Sequence, residues 1–185
     1  PNLEHIDLSG NRLPEIPPVY KSRYLSTLLL YGHILSMISA TAFMGLPLYA
    51  LSLSHNRIKH VHPRAFVNTS TLKVLDISYN RLGLFDVETV LPVKSDALLN
   101  ADIEPSDNFI AENEAEILPR PYSGTLQFIT PVASLLRRLI LSGNFLQLSD
   151  IQPIMQLVRQ LRFLALGDVG LTKIPSEFLQ HARHL

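Results

Sequence analysis

The sequence predicts an α/β repeat fold, a solenoid of stacked turns that share one parallel sheet. Three observations predict it. An apolar residue, usually leucine, recurs about every two dozen residues; an asparagine follows most recurrences at a fixed distance; and apolar and polar residues alternate just after each one. Self-similarity at such a period marks units that cannot bury an apolar face alone and do so jointly by stacking.

Six segments line up. LEHIDLSGNRLPEI begins at Leu3, LSTLLLYGHILSMI at Leu25 and LYALSLSHNRIKHV at Leu48. LKVLDISYNRLGLF follows from Leu72, LRRLILSGNFLQLS from Leu136 and LRFLALGDVGLTKI from Leu161. The starts are nearly evenly spaced from Leu3 to Leu72, and again from Leu136 through Leu161 to Leu185, which opens a further repeat. Only the interval from Leu72 to Leu136 is much longer. Every segment has apolar residues at its first, fourth, sixth and eleventh positions. Side chains alternate along a short strand, so Leu3, Ile6 and Leu8 are expected inward while Glu4, His5 and Asp7 face out. The ninth position holds Asn11, Asn56, Asn80 and Asn144, whose amides can donate and accept. His33 replaces them in the second segment and can still do both. Val169 in the sixth can do neither, so an interruption is expected there. Phe43, Phe66 and Phe178, all in the second half of their turns, supply a second apolar layer.

This pattern resembles the leucine-rich-repeat family over nearly the whole chain. The resemblance implies a curved horseshoe, with the parallel sheet on the concave side and irregular or short helical segments on the convex side. It also implies that the asparagines form a ladder that satisfies backbone groups of adjacent turns. Repeats of this length with Ala42-Phe43 and Ala65-Phe66 in their second half are similar to the typical, mostly extracellular subclass. Toll-like receptor ectodomains and chaoptin-like adhesion proteins belong there. The implied function is binding of another protein, in adhesion or receptor recognition, through the concave face. The implied setting is extracellular or cell-surface, with the full-length protein anchored to a membrane. The alternatives are an intracellular scaffold of the same repeat type and a structural spacer within a longer array.

The long interval needs its own account. Within it SDNFI, from Ser106 to Ile110, matches SGNFL, SYNRL and SHNRI and adds Asn108 to the ninth-position column. That register turns Ile103 inward but puts Pro105 where Leu8, Leu53 and Ile77 sit elsewhere, and proline lacks the donor a central strand needs. Residues 100–135 therefore read as a degenerate repeat with an insertion; Pro119, Pro121, Ser123 and Gly124 are its loop signals. An unstructured interruption and an error in the source gene model are the alternatives. Residues 86–116 carry nine acidic side chains against Lys94 alone, a net charge of −8 in a chain whose total is zero. A solvated acidic loop is the plain account; a docking surface or a calcium-attracting loop are the sharper ones. The domain organisation is thus one solenoid fragment over residues 1–185, uncapped at both ends.

Several classes of function lack support. There is no cysteine, so disulfides, thiolate nucleophiles and zinc-thiolate sites are excluded. No phosphate-binding glycine loop, zinc-protease helix or esterase elbow occurs. His55, His60 and His62 cluster in sequence, but the repeat register puts His55 at the strand exit and the others on the descending connection. No metal site, cofactor or catalytic residue is therefore expected, and the chain is not expected to be an enzyme. The basic spot at Arg137, Arg138 and Arg162 is too small and too poor in aromatics for nucleic acid. Residues 28–53 are apolar enough for a membrane span. His33, Pro47, the glycines, the serines and the in-register leucines argue against one.

A partner is expected on the outward positions of the strands. The fifth-position lane reads Asp7, Leu29, Ser52, Asp76, Glu104, Ile140, Ala165, and the third-position lane His5, Thr27, Ala50, Val74, Asp102, Arg138, Phe163. Ile140 and Phe163 fall on neighbouring turns beside Arg137, Arg138 and Arg162, and aromatic residues with arginine are what interface hot spots favour. Asp76 and Tyr49 complete the expected binding face, with Tyr31 and Tyr79 as weaker members. Asn68-Thr69-Ser70 is the chain's one Asn-X-Ser/Thr sequon. A glycan on Asn68 would sit on the convex side, clear of the sheet.

Overall fold

Successive turns of the chain each contribute one short strand to a common sheet. The computed structural model describes residues 2–19, 21–67, 69–84, 125–155, 158–174 and 176–179. The strands are β1 (His5–Asp7), β2 (Thr27–Leu29), β4 (Ala50–Ser52), β6 (Val74–Asp76), β7 (Arg138–Ile140) and β8 (Phe163–Ala165), with β3 (Met37–Ile38) and β5 (His60–Val61) in a second, two-stranded sheet. All pairings are parallel, and in the six-stranded sheet Ile6, Leu28, Leu51, Leu75, Leu139 and Leu164 stand in one register.

The repeat explains the core. The fourth-position leucines Leu28, Leu51, Leu75 and Leu139 are buried, as are Leu25, Leu48, Leu72, Leu136 and Leu161 at the first position. Leu3 departs from its expected inward place: it is 53% exposed. It lies in the first turn, against which no other described turn packs on the far side, so a stacked fold leaves it half covered. Phe43 stacks on Phe66 with ring centroids 5.2 Å apart, and Phe66 meets Phe128 at 5.9 Å. The second apolar layer therefore includes Phe128, which the forward count from each start does not reach. Phe178 is buried in the last turn.

Beyond the strands the far side is made of turns and short helices. Gln127–Val132 is a 3-10 helix whose Phe128, Ile129 and Val132 are buried. Helix α1 (Leu148–Met155) buries Ile151, Ile154 and Met155. Its first turn is closed by Asp150, whose carboxylate accepts the Gln147 N–H at 2.8 Å, one half of a capping box.

The strand pairing across the long interval departs from the sequence expectation. β6 pairs directly with β7, Val74 beside Arg138 and Asp76 beside Ile140. The lanes therefore pass from Asp76 to Ile140 and from Val74 to Arg138, and neither Glu104 nor Asp102 stands between them. Residues 125–135, expected as the end of a degenerate repeat, instead complete the turn that starts at Leu72. Residues 72–84 and 125–135 together amount to one turn of ordinary length. Residues 85–124, with Ile103, Pro105, Asn108 and the whole of the acidic run, lie outside the described residues.

The segment 28–53, apolar enough for a membrane span, holds β3, β4 and most of β2 of the solenoid. Among the described residues no helix is long and apolar enough to cross a membrane.

Candidate binding face

Two edges frame the outer face of the sheet. Along one edge, the second-position carbonyl of each turn accepts two N–H groups from the next. Glu4 O takes Ser26 and Thr27; Ser26 O takes Tyr49 and Ala50; Tyr49 O takes Lys73 and Val74. Lys73 O takes Arg137 and Arg138, and Arg137 O takes Arg162 and Phe163, with lengths from 2.8 to 3.1 Å throughout. The repetition locks the strand starts in step, so side chains at equivalent positions form straight columns.

The other edge is held by side-chain amides. Asn56 Nδ2 donates to Leu30 O at 2.8 Å and Leu53 O at 3.0 Å, while its Oδ1 accepts the Leu35 N–H. Asn80 repeats this with Leu53 O, Ile77 O and the Ile58 N–H. Asn144 repeats it with Ile77 O, Leu141 O and the Leu82 N–H, which bridges directly across the long interval. Asn11 donates to Leu8 O within its own turn. His33 Nδ1 accepts the Leu13 N–H at 3.3 Å, but its buried Nε2 has no partner. Val169 is buried and offers no acceptor, and the series stops at the fifth turn.

At position eight all six turns have positive φ: Gly10, Gly32 and Gly143, but also His55 at 54°, Tyr79 at 51° and Asp168 at 55°. A side chain in this left-handed region is strained, and such strain tends to persist where surrounding contacts fix it. Here the rings of His55 and Tyr79 stack 4.5 Å apart. The Tyr79 ring lies against Gly143, where an added Cβ would collide with it.

On the face itself, Arg138 and Phe163 are cross-strand neighbours, and the Arg138 guanidinium sits 4.1 Å above the Phe163 ring. Phe163 remains 42% exposed. Arg137 and Arg162 are exposed beside them, and Ile140 is half-buried. Asp76 lies one strand over, but its carboxylate is taken up locally by the Ser78 N–H at 3.1 Å and the Ser78 hydroxyl at 2.7 Å. Asp7 is held likewise by the Ser9 N–H at 2.9 Å, a bond that keeps its carboxyl below the ordinary range. Tyr49 is exposed at the strand start of the third turn. The sequence thus assembles Arg137, Arg138, Ile140, Arg162 and Phe163 into one area, with Tyr49 two strands from Arg137. Tyr31 and Tyr79 are exposed on the opposite edge.

Sequence reasoning names Tyr49, Arg137 and Arg162 singly but not the second-position column they share, Glu4, Ser26, Tyr49, Lys73, Arg137, Arg162. Lys73 belongs to the basic area for that reason, and reading the second position would have found it. The three histidines do separate jobs: His55 stacks, His60 lies in β5 and His62 Nδ1 accepts the Arg64 N–H. Among the described residues no three His, Cys, Asp or Glu side chains gather as metal ligands. Asn68 lies outside the described residues.

Residues 23–82 match the family described as Leucine rich repeat, and residues 2–22 match a second family of the same description. Residues 2–82 thus carry leucine-rich repeats. It is 33% identical over 129 residues to the leucine-rich repeat-containing G-protein coupled receptor 5 of Rattus norvegicus, covering 66% of this chain and 14% of that protein. It is 35% identical over 103 residues to Tsukushi of the same organism, covering 54% and 28% respectively. The chain therefore spans less than a third of either relative. Among solved structures, human trophoblast glycoprotein superposes with a TM-score of 0.59 at 25% identity, over 90% of this chain and 52% of that one. Toll of Drosophila, in its complex with Spätzle, superposes with a TM-score of 0.56 at 24% identity, over 87% and 18%. These relatives are extracellular or cell-surface leucine-rich-repeat proteins. The protein shares their solenoid.

Proposed function

We propose that this leucine-rich-repeat segment is a protein-binding module of an extracellular or cell-surface receptor or adhesion protein, and that it grips its partner with the outer, concave face of the sheet. The observation that carries the reading is the Arg138–Phe163 pair. An exposed aromatic ring, pinned by a guanidinium 4.1 Å above it, sits on a backbone fixed by repeated hydrogen bonds. A ring held in place before binding loses little freedom on docking, which is what hot spots of an interface need. The family likeness supports the setting: Toll is a protein solved with a protein ligand, and the receptor relative is named as a receptor. The reading is one of binding, through Arg137, Arg138, Ile140, Arg162 and Phe163, with Tyr49 at the margin; Asp76 serves mainly to order its own turn. A glycan on Asn68 belongs to the same reading. Thr69, in the middle of that sequon, is buried and bonds Phe66 O, while Ser70 is exposed.

The test compares the secreted chain with its Arg138→Ala, Phe163→Ala double variant against extracellular proteins captured by proximity labelling. Affinity for a captured partner is expected to fall about 30-fold or more, corresponding to a loss of about 2 kcal/mol, with thermal unfolding unchanged. Equal affinity of the two proteins refutes this face. Peptide-N-glycosidase treatment is expected to shift the mass of the secreted chain, and Asn68→Gln to abolish that shift.

A further inference from the structure

Beside the Arg138–Phe163 pair runs a column of graded charge. Position two of the six turns reads Glu4, Ser26, Tyr49, Lys73, Arg137, Arg162. Each step is fixed by the paired bonds to one carbonyl, and adjacent strands of a sheet lie about 4.8 Å apart. Three cations thus stand just before three consecutive strands, within about 10 Å, while the far end of the same column is acidic. Arg137 and Arg162 are exposed and Lys73 is half-buried. Among the described residues none of the three has a carboxylate partner. Like charges directly opposite on neighbouring strands oppose folding. A column of three such cations with no carboxylate partner among the described residues is relieved by an anionic ligand.

We infer that this column is a directional docking lane for an acidic, extended segment of the partner protein. The inference rests on the binding reading proposed above and names the chemistry of its ligand. Carboxylates of the segment pair with Lys73, Arg137 and Arg162, and its apolar side chains reach Phe163 and Ile140 in the adjoining lanes. The apolar neighbours favour a peptide over a sulfated polysaccharide, which has charge but no side chains to bury. Glu4 repels the same carboxylates, so the acidic end of the segment lies toward the sixth turn.

The lane is tested with a fluorescein-labelled peptide, three repeats of Glu-Ser-Glu-Phe, titrated with the full chain by anisotropy. Its Lys-for-Glu counterpart and a heparin oligosaccharide are the comparison probes. The acidic peptide is expected to bind and the lysine peptide not to. Arg137→Glu with Arg162→Glu is expected to weaken binding at least tenfold, and raising salt to weaken the parent but not the variant. Arg137→Gln with Arg162→Gln, which removes charge without reversing it, serves where the reversal does not fold, with a loss of at least threefold expected. Peptide affinity unchanged in a folded variant, or no peptide binding at all, overturns the lane. Heparin binding through the same arginines without peptide binding overturns it in favour of a glycan. If a captured partner loses affinity on Arg138→Ala, Phe163→Ala but not on charge reversal, the lane fails while the binding face stands.

Discussion

The third and fourth turns do the same structural job with very different lengths of chain. The third turn closes from Leu48 to Leu72 without a break. The fourth takes more than twice as much chain to run from Leu72 to Leu136, yet its described residues alone complete the turn. Both turns keep the strand register, both place an asparagine amide between neighbours, and both extend the phenylalanine stack. Register in a stacked fold is therefore set by bonds to the adjacent turns and not by continuity of the chain. Closure entropy grows only logarithmically with loop length, so lengthening a flexible loop in this ratio costs about 0.9 kcal/mol. A single buried ring outweighs that.

The comparison can be broken most sharply at Phe128. If the interrupted turn packs as the continuous one does, Phe128→Ala and Phe66→Ala should each lower the unfolding free energy by about 3–5 kcal/mol in urea titrations. A loss below about 1 kcal/mol at Phe128 alone would mean the fourth turn is only loosely joined. Next comes the ladder amide that reaches across the interval. Asn144→Ala strips a partner from the Leu82 N–H and from two carbonyls, and about 2–3 kcal/mol should be lost, as at Asn80. A much smaller loss at Asn144 than at Asn80 would show that the two turns are not equivalent. His33 offers a gain: Asn in its place retains the acceptor for Leu13 and removes the orphaned Nε2. His33→Asn should raise stability by about 1 kcal/mol, and a fall in the melting temperature would contradict the comparison among turns. Smallest of all is excision of residues 85–124, with Leu84 joined to Thr125 through a short Gly-Ser link. Unfolding free energy should change by about 1 kcal/mol or less, and a collapse of the cooperative transition would show that these residues are part of the stack.

Most of the sheet was legible because a period of about two dozen residues fixes which leucines stand in register. The asparagine bonds were legible for a related reason: only a side chain that donates and accepts can serve two turns at once. Phe128 was not, because the inserted chain carries it far beyond the distance from Leu72 at which a phenylalanine is expected. Counting back from the next start would have found it, since Phe43, Phe66 and Phe128 all stand shortly before Leu48, Leu72 and Leu136. The match of SDNFI to neighbouring turns pulled the other way and set Asp102 and Glu104 into lanes that close without them. The stacking of His55 on Tyr79 was not legible because position eight looks like a glycine site, and nothing local announces that two rings will brace each other there. Of the proposed binding face, the Arg–Phe proximity followed from register alone; the geometry of one over the other required coordinates.

The inserted chain also alters how the stack would yield to tension. Turns that touch only their neighbours carry a pull along the axis in series, and each peels away as a unit. At about 3.4 Å per residue, an ordinary turn would release roughly 80 Å of slack. The fourth, with its insertion, would release roughly 220 Å. Pulled from its ends, the stack would therefore lengthen most where that one turn gives way.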